Sequence, residues 1–595
     1  MDKKKQRSLN NWLKTQSRLA KRWLLIAVGL GVLSSLFLLA QAALIATILH
    51  QLIIEHTDKY ELIPYFIGLI VSVAGRAGCA WGREIAGFKC GEKIRCYIRE
   101  LILNKLHELG PSYIKGKPAG TWATLVLEQV EDMHDFFAKY LPQMSLAVLV
   151  PFVILIVVFP INWAAGLIFL ITAPLVPLFM ALVGMKAADA NRKNFKALQR
   201  LSGHFYDRLQ SMTTIRLFNR TAAEKDVLEG ASEVFRKRTM DVLRLAFLSS
   251  AVLEFFTSIS IAMTAVYFGF SFIGEVNFGH YGVGVTLFAG LFILILAPEF
   301  YQPLRDLGTF YHAKAQAVGA AESIVEFLDT KVDNLPQGQN TLNTHSHIEL
   351  SAENLEIFSP EGKRLVGPIS FHIQDGQSIA LVGPSGAGKT SLVNTILGFM
   401  PYSGSLKING QELRDLACDD WRENVSWVGQ NPLLLHGTIR ENITLGKENV
   451  SDSTVLSALS SSFSDEFVDQ HGLDYHVTDR SSSLSVGQAQ RLALARAMIQ
   501  DGQFWLLDEP TASLDAKSER LVTEGIRQTT QGKTTLTVTH QLSQLKSVDS
   551  IWVMNHGKLE QSGHFEALAQ TDGLFKSMLS AHNTMVDNNK GNLDA

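Results

Sequence analysis

The residues Gly383-Pro384-Ser385-Gly386-Ala387-Gly388-Lys389-Thr390, followed by Ser391, satisfy the pattern GxxxxGK[ST] and come directly after the strand-like run Ser378–Val382. That spacing is the chemistry of a phosphate-binding loop. Glycines let backbone N–H groups turn inward around phosphate oxygens, and a helix starting near Lys389 points its positive end at the same anion. Lys389 would reach the β- and γ-phosphates of ATP, and Thr390 would reach Mg²⁺. Further on, the apolar run Phe504–Asp508 closes in two carboxylates, Asp508 and Glu509. Asp508 would hold Mg²⁺ through water, and Glu509 would orient or deprotonate the attacking water.

The elements that must carry these residues fall in two halves. The chain has 595 residues and a formal net charge of −3, which gives no bulk electrostatic case for nucleic acid as a partner. Apolar residues crowd the first half, in runs at 24–49, 62–81, 143–159, 163–184, 245–273 and 283–298. Each is close to the ~20 residues that a bilayer span requires, so six spans are expected. Lys and Arg gather in the N-terminal tail and in 82–140 and 185–244, which places those segments and everything after the sixth span in the cytoplasm. Both long excursions read as helical, with turning points near 111–118 and 203–214 suited to meeting a soluble domain. Residues 8–21 would lie on the membrane surface as a basic amphipathic helix, with Trp12 and Leu13 dipping inward, or would form a solvated leader. The organisation expected is a basic tail at 1–23, a transmembrane domain at 24–328, a linker at 329–347, an α/β nucleotide-binding domain at 348–582 and a flexible tail at 583–595. The four cysteines show no paired metal spacing and read as reduced thiols.

Ionisable residues inside spans cost about 2.5–3.5 kcal/mol at a helix centre and are functional candidates by default. Arg76, Glu254 and Glu299 qualify. Arg76 would either snorkel to the inner interface or line a cavity, and Glu254, near mid-bilayer, would line a cavity or find an ionic partner. Pro298 and Pro303 are expected to kink the sixth helix.

The sequence LSVGQ at 484–488, followed by Gln490-Arg491-Leu492, resembles the signature of ATP-binding cassette (ABC) proteins. Gln430, Ser513-Leu514-Asp515 and His540 match the Q-loop, D-loop and switch histidine of the same family. The resemblance implies that ATP is bound between two cassettes, the phosphate loop of one facing the signature of the other. On this basis Ser485, Val486, Gly487, Gln488 and Asp515 would serve the partner's site. Gln430 would sense the γ-phosphate and join Thr390 and Asp508 around Mg²⁺, and His540 would help fix the attacking water. Two departures stand out. Val486 replaces the usual first glycine of the signature, and the adenine-stacking aromatic is represented only by Phe358, one place from where the family carries it. Both point to an asymmetric heterodimer, with variation in a homodimer as the alternative.

Six spans ahead of one cassette resemble an exporter-type half-transporter. The segments GTWATLVLEQ at 120–129, LSGHF at 201–205, RLAFLSS at 244–250 and RDLGTFYHAKAQAVG at 305–319 are similar to the CydD halves of bacterial CydDC transporters. That resemblance implies a CydC-type partner in the inner membrane and a place in cytochrome bd and c-type cytochrome assembly. Cysteine and glutathione are the expected exported solutes, and haem is the alternative ligand or substrate. Tyr311 and His312, counted as lying at the inner mouth of a continuous sixth helix, are candidates for the substrate path with Glu254 and Arg76. His312 would be a haem ligand or a plain polar helix residue. Arg244 and Arg305 are further candidates for an anionic thiol. The rival readings are ATP-driven gating of a partner and a homodimeric lipid or drug exporter. The six spans exclude a purely soluble cassette, and the hydrolytic set excludes a protonmotive transporter.

Overall fold

The computed structural model describes residues 3–116, 119–276, 278–281, 285–332, 335–336, 338–343, 347–445, 447, 449–477, 484–512 and 514–581. Ser513 and the tail at 583–595 lie outside them. The chain divides into two units, one of residues 1–105 with 118–330 and one of residues 106–117 with 331–595.

The first unit is helical. Among the described residues five helical stretches are long and apolar enough to cross a bilayer: Lys4–Ile53, Ile63–Lys115, Gly120–Ile161, Glu254–Ile273 and Leu287–Leu328. The expected fourth span is not continuous. It is split into Trp163–Thr172 and Leu175–Gln210 at Ala173-Pro174, because proline supplies no N–H to the preceding turn. The long C-terminal stretch is also interrupted: one helix runs Leu287–Thr309, and a second starts at Tyr311 after Phe310. His312 sits in the first turn of that second helix, within the stretch Leu287–Leu328. The buried core runs through Ile154, Phe169, Ile293, Leu296 and Phe300. Within it the hydroxyls of Thr172, Ser260 and Tyr301 bond one another, so these three are satisfied without water. The N-terminal helix Lys3–Ser17 packs on Tyr311–Leu328, with Lys5 paired to Glu322 at 2.7 Å. Leu9 and Leu13 are buried there, so Leu13 is seated in protein and not in the bilayer surface.

Among its described residues the second unit holds three sheets. Its strands are β1 (Leu350–Phe358), β2 (Arg364–Ile373), β3 (Ser378–Val382), β4 (Tyr402–Ile408), β5 (Gln411–Glu412), β6 (Val425–Val428), β7 (Gly437–Thr438), β8 (His476–Val477), β9 (Phe504–Asp508), β10 (Thr534–Val538), β11 (Ser550–Asn555) and β12 (Lys558–Gly563). β2-β1-β4-β5 form an antiparallel sheet and β7 pairs with β8. The six-stranded sheet has the order β12-β11-β3-β10-β9-β6, parallel from β11 to β6. Its inner strands read IALV, FWLL and TTLTV because they are covered on both faces.

The expected linker is in part cassette. Leu342 is buried in the same core as Ile348, Asn340 bridges to Leu416, and Gly338 lies against the Asp415 backbone, so close that a Cβ would meet its carbonyl carbon at 2.1 Å. Residues 106–117 group with the cassette as well. The helix kinks at Gly110, whose φ of +73° suits glycine, 3.8 Å from Phe399 for a notional Cβ. This is the turning point expected from sequence near 111–118. The 203–214 turning point is instead a break at Ser211 inside the helical unit.

Trp421 anchors the two sheets' shared core: it is fully buried, its indole N–H donates to the Ile396 carbonyl at 2.7 Å, and its ring lies 5.8 Å from Phe504. Trp421→Ala should destabilise the cassette by about 3–5 kcal/mol, read as a lowered unfolding midpoint in denaturant.

Candidate functional site

Parallel strands deliver their carboxyl ends to one edge, and there the chemistry-bearing residues collect. β3 runs into the phosphate loop, β9 ends in Asp508-Glu509, β10 leads to Thr539-His540, and β6 leads to Gly429-Gln430. Register keeps them level: Val538 pairs with both Leu381 and Asp508, and Val428 with Leu507.

The loop Gly383–Gly388 turns through positive φ at Gly383, Gly386 and Gly388. Gly383 admits no side chain, since a Cβ would come within 2.1 Å of the Met554 carbonyl oxygen. Pro384, Ser385 and Gly386 form the exposed crest, Ala387 is buried beneath it, and the helix Lys389–Ile396 starts at once. Thr390 is exposed and Ser391 half-buried in its first turn. Lys389 folds back so that its ammonium donates to the carbonyls of Gly383 at 2.8 Å and Pro384 at 3.1 Å. Burial pushes its pKa down, while Glu509 and Asp508 pull it up.

Glu509 is the hub. Its φ is +49°, a conformation that L-residues seldom adopt, and its N–H donates to the Val538 carbonyl at 2.9 Å. One carboxylate oxygen accepts from Gln430 Nε2 at 2.9 Å, and the other meets His540 Nε2 at 2.9 Å. The sequence predicted all three residues separately, and the fold joins them through one carboxylate. Asp508 behaves differently: burial, then the neighbouring Glu509 charge, raises its pKa against the pull of Lys389 and Lys115. A carboxylate under that stress is a fitting partner for a cation. Thr390, Gln430 and Asp508 are neutral or singly charged oxygen donors suited to Mg²⁺, and no cluster of three His, Cys, Asp or Glu exists among the described residues. Such a sparse set fits a metal held chiefly by nucleotide phosphates.

The signature is preformed. Ser485 caps the helix Val486–Gln500 in a reciprocal box with Gln488. Gly487 leaves no space, its Cβ position lying 2.3 Å from Ser518 Oγ, whereas Val486 is 53% exposed. Asp515 caps the following helix by accepting from Ser518 N at 3.1 Å, and these hydrogen bonds lower its pKa. Phe358 closes β1, half-buried, with its N–H donating to the Pro401 carbonyl.

In the helical unit the candidate charges are paired. Arg76 Nη2 meets both Glu299 oxygens, at 3.0 and 3.1 Å. Glu254 pairs with Arg305 at 3.2 Å. Gln302, which the sequence reading passed over, contacts both Arg305 and Asp306. Its spacing three residues from Glu299 and from Arg305 was the available signal. His312 is exposed, and Tyr311 shares the Lys314 ammonium with Tyr140, each ring centroid 5.8 Å away. The structure does not bring His312 and Tyr311 together with Arg76 or Glu254 in any direct contact among the described residues.

Residues 24–295 match the ABC transporter transmembrane region and residues 366–512 the ABC transporter family. The glutathione/L-cysteine transport system ATP-binding/permease protein CydD of Haemophilus influenzae is 53% identical over 98% of this chain and 99% of its own length. CydD of Escherichia coli K12 is 52% identical over the same shares, and CydC of Bacillus subtilis is 29% identical over 88% of this chain and 90% of its own. A solved structure of a bacterial Atm1-family ABC exporter with ATP bound superposes with a TM-score of 0.80 at 19% identity, over 94% of this chain and 99% of that one, and shows the shared fold.

The folded, nucleotide-free cassette holds a proton on Asp508 more tightly than the unfolded chain does. Its contribution to stability is therefore greatest below the ordinary carboxylate range and is lost as pH rises through the raised pKa. Asp508→Asn should raise the thermal midpoint of the nucleotide-free protein at pH 7, by an amount that shrinks on acidification, and should remove the extra stabilisation given by Mg²⁺ with ATP.

Proposed function

The chain belongs to the CydD family of ATP-binding cassette transporters, and from that premise we propose that it exports cysteine and glutathione from cytoplasm to periplasm as half of a heterodimer with a CydC-type chain. It is a multi-pass inner-membrane protein with a cytoplasmic ATPase domain that couples ATP hydrolysis to transport. The observation that carries the hydrolytic half of this reading is the carboxylate of Glu509 bridging Gln430 and His540. Full-length identity of 53% to a glutathione/L-cysteine CydD supports the solute.

The residues divide the work by charge. Lys389, released from the Gly383 and Pro384 carbonyls, is the cation for the β- and γ-phosphates, and the exposed loop crest offers N–H groups to them. Thr390, Asp508 and Gln430 would hold Mg²⁺, which when bound supplies neutralisation of phosphate charge. Glu509 accepts the proton of the attacking water, with Gln430 and His540 fixing its two oxygens so that its lone pairs point one way. Phe358 lies against adenine. Ser485, Gly487, Gln488 and Asp515 complete the site whose phosphate loop belongs to the partner. There the exposed Val486 side chain holds backbone away from phosphate and makes that site the slower of the two.

Haem as cargo is a second reading, favoured by the exposed imidazole of His312 beside Tyr311. The experiment that separates them uses inside-out vesicles containing both halves. Glu509→Gln should lower ATP turnover about 10²- to 10⁴-fold and abolish uptake of cysteine and glutathione together. Uptake of haem without either thiol, lost in His312→Ala, would overturn the thiol assignment. Val486→Gly should raise ATP turnover of the heterodimer several-fold, and an unchanged rate would remove the asymmetry argument.

A further inference from the structure

The helix Leu287–Thr309 has two unlike faces. Leu296, Ala297, Phe300, Tyr301, Pro303 and Leu304 are buried in the helical unit. Glu299, Gln302, Arg305 and Asp306 form the other side, a polar ladder in which Glu299 pairs with Arg76 from Ile63–Lys115, Arg305 pairs with Glu254 from Thr221–Ile273, and Gln302 bonds to Arg305 and Asp306. Counted from the outer helix ends, the Arg76–Glu299 pair lies about 18–20 Å deep, inside a ~30 Å hydrocarbon core, and the Glu254–Arg305 pair about 27–29 Å, at its inner edge. The four side chains are 29–63% exposed in this chain. Charges left open at the depth of Arg76 and Glu299 cannot face lipid, so that pair borders a water-filled path or a partner, and the second pair stands at its inner mouth. Arg305 Nε, moreover, is buried with no hydrogen-bond partner, which leaves donor capacity unused within the ladder.

We propose that these two ion pairs bind the head groups of the transported thiol, an inference that rests on the thiol reading above. The Arg76–Glu299 pair is a matched anion and cation, and a zwitterionic α-amino acid end carries the same two charges. Inserted between them, its carboxylate takes the place of Glu299 on Arg76 and its ammonium the place of Arg76 on Glu299. One ion pair becomes two, and no net charge is buried. The second pair lies about 9 Å further along the helix, six residues at 1.5 Å each. An extended tripeptide spans about 10 Å, so the γ-glutamyl end of glutathione reaches Arg76–Glu299 while its glycine carboxylate meets Arg305. Cysteine needs only the first pair.

Uptake of L-cysteine, reduced glutathione and N-acetyl-L-cysteine, which lacks the ammonium, into inside-out vesicles holding both halves tests this, with KM and kcat read separately. Glu299→Gln should raise KM about ten- to a hundredfold for cysteine and glutathione, the worth of a hydrogen bond to a charged group, and less than twofold for N-acetyl-L-cysteine. Arg305→Gln should raise KM for glutathione at least tenfold and for cysteine less than twofold. Should Glu299→Gln fail to assemble with its partner, Glu299→Asp keeps the charge and shortens its reach, and the same selective rise in KM is expected. Equal changes for all three solutes, or a fall in kcat with KM unmoved, would mean that the pairs only hold helices together and would overturn the proposal. Wild-type vesicles that take up none of the thiols would overturn the thiol reading itself, and the site with it.

Discussion

Everything in the nucleotide half depends on the parallel pairing of β6, β9, β10 and β3. Because their hydrogen bonds pair Val428 with Leu507, Asp508 with Val538 and Val538 with Leu381, four separate loops emerge at one edge. A phosphate cradle, two carboxylates, a histidine and a glutamine are thereby placed within reach of one another without any residue contacting its sequence neighbours for the purpose. The apolar strand interiors supply the stability, and the loops are left to carry chemistry.

Two adjacent carboxylates in that edge serve different ends because their surroundings differ. Asp508 closes a buried strand and is penalised for its charge until a cation arrives. Glu509 stands one residue further, in a left-handed turn, and finds two hydrogen-bond partners within the chain. The strained backbone turns the second side chain away from the first, which is how neighbouring acids avoid sharing one role.

The same logic governs what could be read in advance. The phosphate loop was legible because glycine at Gly383 and Gly388 is a steric necessity, visible as residue type. The spans were legible because the bilayer demands length. Partnerships were not: Arg76 and Glu299 are 223 positions apart, and nothing in spacing announces their contact. Leu342 looked like linker because Gly, Pro and Asn surround it, yet it is buried in the cassette core, and Asn340 bridges to Leu416 beside it. The break at Pro174 was masked by the apolar residues on either side, which satisfy a hydropathy pattern whether or not the backbone is continuous.

The central claim is that Gln430 and His540 act through one carboxylate. The most direct test is a double-mutant cycle on kcat for ATP hydrolysis by the heterodimer, comparing Gln430→Ala, His540→Ala and the pair. Action through Glu509 predicts strong non-additivity, the double variant being little slower than the slower single one. Losses that multiply would contradict it, and would mean that the two residues contact the nucleotide independently.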